Sequence, residues 1–181
     1  MRSVVAVLAA LLVAGTQLPA DAAGWFAVND PAGDAIGHGD LSRLTLSTAG
    51  ARHGHPQSLV LQLQLADAVD RSGTTRYEVD LSFPGCSGGF RATVNPGVPA
   101  AHHVSCQLRP DDLTFTMDIA PAVRGSVLTW VVAFDAFPAG AVSAGQVAHH
   151  VRAFTALELD DSAPDAIHND DLSTTAAYTI R

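Results

Sequence analysis

The chain contains no lysine, and all ten of its basic residues are arginine. Eighteen acidic residues outnumber them, which gives a formal net charge of −8 at pH 7. Nucleic acids and anionic membrane surfaces are bound by clustered Lys and Arg side chains. This charge balance therefore predicts a protein that binds neither.

Glutamate is scarce as well, because Glu78 and Glu158 stand against sixteen aspartates. Aspartate favours turns and ion binding, since its short side chain bonds the nearby backbone, whereas glutamate favours helices. A glycosidase would have to draw its two carboxylates from aspartate, and no segment singles out such a pair. The H-E-x-x-H motif is also missing from the sequence. We expect a noncatalytic protein.

Long apolar runs are few. After Met1-Arg2-Ser3, the run Val4–Ala14 is too short to cross a bilayer, and small residues follow it. This pattern predicts a secretory signal peptide over residues 1–23 and a secreted, extracellular product. No later run is long enough to span a membrane. The rest, residues 24–181, has the length of one domain.

Cysteine is limited to Cys86 and Cys106. In an exported chain an even number of cysteines indicates a disulfide rather than a catalytic or metal-binding pair. We predict a bond between them that ties neighbouring strands together.

Apolar and polar residues alternate in several segments, which predicts antiparallel strands with one solvated face. The segments are residues 41–48, 59–65, 76–83 and 113–119. Residues 127–134 are apolar on both faces and are predicted to form a central strand covered from both sides. Residues 141–148 are expected to be a loop. Turns rich in Gly, Pro, Asp and Asn separate the strands, so we predict an antiparallel β-sandwich, jelly-roll-like or immunoglobulin-like.

Two acidic segments share the pattern D-x-A-x-D-A-I-x-x-x-D-L-S. They are residues 30–42 and 161–173, which are identical at eight of thirteen positions. Calcium takes six to eight oxygen ligands, mostly from carboxylates and carbonyls of turns. The predicted ligands are Asp30, Asp34 and Asp40 in the first segment and Asp161, Asp165 and Asp171 in the second, where Asp160 and Asp170 are further candidates. A repeated turn before a strand is the alternative.

Each acidic segment is followed by a predicted strand, at residues 41–48 and 173–180 respectively. A sandwich often brings its first and last strands together. The two segments are therefore expected to meet at one end of the fold or to occupy equivalent corners.

Histidines offer a different metal site. His53 and His55 lie on one side of an extended segment, a spacing compatible with zinc, copper or nickel. Together with Asp135, at the end of an apolar strand, they are the residues that a secreted hydrolase or metalloenzyme would use. No third ligand follows them at a diagnostic spacing.

The segment Asp30-Pro31-Ala32-Gly33-Asp34, followed by Asp40-Leu41, resembles the DOMON-like and family nine carbohydrate-binding-like β-sandwiches of secreted bacterial proteins. The resemblance implies a jelly-roll-like or immunoglobulin-like sandwich with Asp30 and Asp34 as calcium ligands. No Met and His pair for haem and no aromatic platform for a sugar can be identified, so the resemblance extends only to the acidic segment.

The sequence therefore predicts a secreted, noncatalytic β-sandwich that binds calcium and serves as a structural or recognition module. The alternative binding function is that of a carbohydrate or cell-envelope binding module. Trp25 is a candidate for stacking on a sugar, whereas Trp130 is expected in the core.

Overall fold

A computed structural model of the protein describes residues 25–31, 33–35, 39–50, 57–93, 102–108, 113–138, 141–157, 167–174 and 177–180. The strands in these residues are β1 Trp25–Asn29, β2 Leu41–Ala49, β3 Ser58–Leu65, β4 Thr75–Phe83, β5 Cys86–Thr93, β6 His102–Leu108, β7 Leu113–Met117, β8 Ala122–Arg124, β9 Val127–Ala133, β10 Val147–Leu157, β11 Ile167–Thr174 and β12 Tyr178–Thr179. A single 3-10 turn, Phe134–Ala136, is the helical element of this part. The predicted signal peptide lies outside the described residues.

The strands form two antiparallel sheets, one on each side of a shared core. The narrower sheet has the order β1-β2-β3-β9-β8, and the wider one has the order β11-β10-β4-β5-β6-β7, with β12 paired to β10. All pairings between described strands are antiparallel. The predicted all-β antiparallel sandwich is confirmed. In the described part of the chain, no helix has the length and apolar character needed to cross a membrane.

Alternating leucines build the core of the narrower sheet. Leu59, Leu61 and Leu63 of β3 are fully buried, and the residues between them are partly exposed. In the wider sheet, Val79, Leu81 and Phe83 of β4 are buried in the same way. Successive side chains of a strand point to opposite faces, so one face of each sheet is buried and the other meets solvent.

The apolar strand β9 differs from its prediction. Leu128, Trp130 and Val132 are buried, but Val131 between them is 55% exposed. The prediction of a strand covered from both sides was wrong, because a two-layer sandwich covers only one face of each sheet. Trp130 is in the core as expected, and its ring contacts Phe90 edge-on.

Strand β7 also differs from its prediction. The alternation predicts Leu113, Phe115 and Met117 as a buried row, yet Leu113 is 63% exposed and Phe115 40%. Phe115 lies opposite Cys106, which is fully buried on β6. β7 is the last strand of the wider sheet. The cover from the narrower sheet therefore ends between β6 and β7.

The longest described strand, β10, begins at Val147, inside the segment predicted to be a loop. Its pairing with β4 shifts register between His149 and Arg152, and His150 has a φ of 51°. Such a bulge interrupts the alternation from which strands are recognised in a sequence.

The disulfide Cys86–Cys106 is present and joins the neighbouring strands β5 and β6, as predicted. Its Cα atoms are 5.5 Å apart, and both cysteines are buried in the core. The bond encloses a loop with a sequence separation of 20 residues. Closing such a loop limits the conformations of the unfolded chain.

We expect the double variant Cys86→Ala/Cys106→Ala to lose about 3 kcal/mol of unfolding free energy, from the loop-closure entropy. Urea denaturation measures this loss. The wild-type protein unfolded in a reductant is the control, and it should lose a similar amount. An unchanged denaturation midpoint in both would contradict the stabilising role of the bond.

Candidate metal centre

Residues of the two acidic segments meet where the β1–β2 connection of the narrower sheet lies close to β11 of the wider sheet. Carboxylate oxygens of Asp30, Asp34 and Asp170 lie within 4.8 Å of one another. We call these three residues the acidic cluster. Asp30 follows β1 of the narrower sheet, and Asp170 lies on β11 of the wider sheet. The expected meeting of the two segments is therefore seen for Asp30 and Asp34 of the first segment and for Asp170 of the second.

The connection from β1 to β2 is held by hydrogen bonds that its backbone amides donate. The amide of Asp30 donates to the carbonyl of Ser42 at 3.0 Å, which continues the pairing of β1 with β2. The amide of Gly33 donates to Oδ2 of Asp40 at 2.7 Å. The side chain of Asp40 therefore stabilises the turn that contains Asp34.

Gly39 anchors this connection to the wider sheet. Its carbonyl accepts a hydrogen bond from the hydroxyl of Thr155 at 2.8 Å. Its φ is +98°, and a Cβ atom on it would lie 3.1 Å from side-chain atoms of both Thr155 and Thr75. Glycine adopts this backbone region readily and also fits the narrow space.

Asp170 supplies the second link between the sheets. Its Oδ2 accepts a hydrogen bond from the amide of Leu41 at 2.5 Å, and Leu41 is the first residue of β2. A bulge precedes Asp170, because Thr155 pairs with Asp170 while Ala156 pairs with His168. Bulges re-aim side chains locally. Asn169, the additional residue, is buried and donates to the Thr155 hydroxyl at 3.4 Å.

Asp171 has a different partner. Nε of Arg152 donates to its two carboxylate oxygens at 3.1 and 2.9 Å, and the Nη2 atom of Arg152 also pairs with it. Adjacent residues of a strand point to opposite faces. Asp170 therefore joins the acidic cluster, whereas Asp171 joins an ion pair on the outer face of the wider sheet.

The electrostatics of the cluster are repulsive. Burial, followed by the charges of Asp170 and Asp34, raises the pKa of Asp30 from 3.8 to about 6. The pKa of Asp170 is also raised, chiefly by burial, although the amides of Leu41 and Asp171 act in the opposite direction. Carboxylates at such distances disfavour the ionised form unless a positive charge lies among them.

Two carboxylate oxygens at this site are buried without a donor among the described residues. They are Oδ2 of Asp30 and Oδ1 of Asp40. Asp40 as a whole is only 7% exposed. A buried oxygen of an acidic group is costly unless it is hydrogen-bonded or binds a cation. The site therefore has both the charge and the unused acceptors that a hard cation requires.

The other predicted ligands fall into two groups. Asp161, Asp165, His53 and His55 lie outside the described residues. Asp40 and Asp171 are described but are not part of the cluster of three. Asp170 was one of the further candidates, and it could have been preferred because it shares strand parity with the buried Leu172.

Trp130 and Asp135 belong to the alternative functions, and their positions do not favour sugar binding or catalysis. Trp130 is fully buried and cannot stack on a sugar, and the side chain of Trp25 is outside the described part. Asp135 is exposed on the 3-10 turn. Among the described residues, the only group of three or more metal-binding side chains is the acidic cluster, which contains no histidine.

Comparisons of the chain with protein-family models, with curated proteins and with solved structures find no match. A function has to be inferred from the geometry of the acidic cluster and of the surfaces around it.

We expect Gly39→Ala to destabilise the protein by about 1 to 3 kcal/mol more than Gly33→Ala, because of crowding at the added methyl group. Both glycines have positive φ, but a Cβ on Gly33 would meet nothing within 4 Å. The second variant is thus a matched control for backbone strain. Urea denaturation measures both, and equal losses would show that the contact with Thr155 and Thr75 is unimportant.

In EDTA, the unfolding free energy of the wild-type protein should fall as the pH rises from about 4 to 6. The folded state keeps a proton on Asp30 in this window, with a pKa of about 6, while the unfolded state has released it near 3.8. Asp30→Asn should reduce this slope. Asp67→Asn, at an exposed aspartate outside the cluster, is the control and should keep it. Equal slopes in all three proteins would contradict the raised pKa of Asp30.

Proposed function

We propose that this protein is an exported, noncatalytic β-sandwich that binds one calcium ion at the acidic cluster, with a structural or recognition role. The observation that carries the proposal is the convergence of Asp30, Asp34 and Asp170 within 4.8 Å, drawn from two sheets. The buried, unpartnered Oδ1 of Asp40 supports it independently.

The chemistry of the donors favours calcium over transition metals. All the converging atoms are carboxylate oxygens, and hard cations prefer oxygen whereas zinc and copper prefer histidine and cysteine. Asp34 is exposed and follows a glycine with a positive φ. Ligands on such turns suit the irregular geometry and high coordination number of calcium better than the strict octahedron of magnesium.

The ion would link the two sheets. Asp30 and Asp34 belong to the connection between β1 and β2, and Asp170 belongs to β11. The hydrogen bond from Leu41 to Asp170 already joins these elements. A cation would replace the repulsion between the carboxylates with attraction, so that binding energy adds to the stability of the folded state.

The test is thermal unfolding in EDTA and then in excess calcium, magnesium or zinc. At a calcium concentration one hundred times the dissociation constant, binding stabilises the folded state by about 2.7 kcal/mol. For a domain of this length, that raises the midpoint by roughly 5 to 10 °C. Asp170→Asn should abolish most of the rise, since it removes a charged ligand but keeps an acceptor for the amide of Leu41.

The adjacent variant Asp171→Asn is the matched control. It changes the same residue type one position along β11, where the side chain faces Arg152, and should leave the calcium response intact. Isothermal titration calorimetry should give an affinity for calcium at least about tenfold weaker in Asp170→Asn, because affinity depends on the number of charged ligands. No calcium response in the wild-type protein, or an equal loss in both variants, would refute the proposal.

A further inference from the structure

We propose that strand β7, at the free edge of the wider sheet, pairs antiparallel with β7 of a second copy of this chain. β7 hydrogen-bonds with β6 on one side, and no other described strand pairs with it. The exposed side of an edge strand carries unpaired N–H and C=O groups that can bind a further strand. This inference is independent of calcium binding.

The side chains of β7 are exposed on both faces of the sheet. Leu113, Thr114, Phe115 and Thr116 are all exposed, and Met117 is partly buried. Two of the three large hydrophobic side chains that are exposed in the described part, Leu113 and Phe115, lie on this strand. They continue the apolar inner row of β6 beyond the cover of the narrower sheet. A further strand at this edge would shield them from water.

The sequence of β7 is self-complementary. A twofold axis requires a surface to pair with itself, so that each residue lies opposite its counterpart across the centre. Antiparallel pairing centred on Phe115 places Leu113 opposite Met117 and Thr114 opposite Thr116. Apolar side chains then meet on the inner face and threonines on the outer face, which is a favourable cross-strand arrangement.

β7 also lacks the features that protect other sheet edges. Proteins block free edges with charged residues, prolines, bulges or very short strands. β8 has three residues and contains Arg124, and β11 carries Asp170 and Asp171. β7 has five residues without a charge or a proline.

The edge strand β1 is also uncharged, but the side chains of its three central residues are partly buried. Phe26 packs against Tyr178 with ring centroids 6.4 Å apart, and Ala27 and Val28 are partly buried. Among the described side chains of the outer strands, the exposed large apolar ones therefore lie on β7.

The association is expected to be reversible. A strand of five residues is about 17 Å long, so its pairing buries less than the roughly 1,200 Å² of a standard stable interface. Acidic residues flank β7 in the sequence at Asp112 and Asp118. Their repulsion limits the pairing to the five uncharged residues. A monomer–dimer equilibrium in the micromolar range is the expected behaviour.

The test is sedimentation equilibrium of the full chain from about 1 µM to about 1 mM, a range that covers weak dimers. Thr114→Lys/Thr116→Lys places lysines opposite each other across the axis and should weaken the dimer about tenfold. Thr114→Lys/Thr116→Glu places lysine opposite glutamate and should dimerise like the wild type. Circular dichroism and thermal unfolding would verify that both variants fold.

These two variants separate the pairing from effects of net charge. The double lysine variant brings the net charge of −8 nearer to zero, which by itself would promote association. Val131→Lys, at the third exposed hydrophobic residue, is on the inner strand β9 and should leave the dimer unchanged. A monomer at every concentration overturns the proposal. So does equal dimerisation of the two threonine variants.

Discussion

The two sheets of this sandwich share one apolar interface but have different widths. This difference in width determines which strands and side chains at the margins lie outside the overlap. Five strands face a sheet of six in-line strands that also carries β12. Alternating leucines and aromatic residues fill the region where the sheets overlap. Apolar burial is the main favourable term in folding, so the overlap defines the stable centre. At its two margins lie the acidic cluster on one side and strand β7 on the other.

At the acidic margin, folding brings together groups that repel each other. The sequence compensates with backbone donors, since the amides of Gly33 and Leu41 bond Asp40 and Asp170. These bonds favour the ionised carboxylates but leave buried oxygens of Asp30 and Asp40 without donors in the described part of the chain. A hydrogen bond to a charged group offsets part of the desolvation penalty, and an unused acceptor retains it. That residual penalty is what the proposed cation would remove.

The sequence predicts the centre of this fold better than its margins. Period-two alternation in β2, β3 and β4 identifies strands because one face of each is buried. The same pattern in β7 predicts a buried row that is exposed, since alternation reports which residues share a face and not whether another sheet covers it. The choice between Asp170 and Asp171 depends in the same way on register and on the bulge at Asn169. A one-residue shift exchanges the two faces. The repeated motif aligns Asp171 with Asp40, and only the parity with the buried Leu172 indicates that Asp170 points inward.

The positions of the two margins also decide whether the proposed activities influence each other. β11 and β7 are at opposite ends of the wider sheet, five strand positions apart. Strands are spaced by about 4.8 Å, so the acidic cluster and the free edge are separated by roughly 24 Å across the sheet. The Debye length is about 8 Å at physiological ionic strength, so a calcium charge at the cluster is screened at the edge. Coupling would then require a change in the strands between them, where Tyr77, Val79, Phe90 and both cysteines are buried. We therefore expect the proposed calcium binding and self-association to be independent of each other.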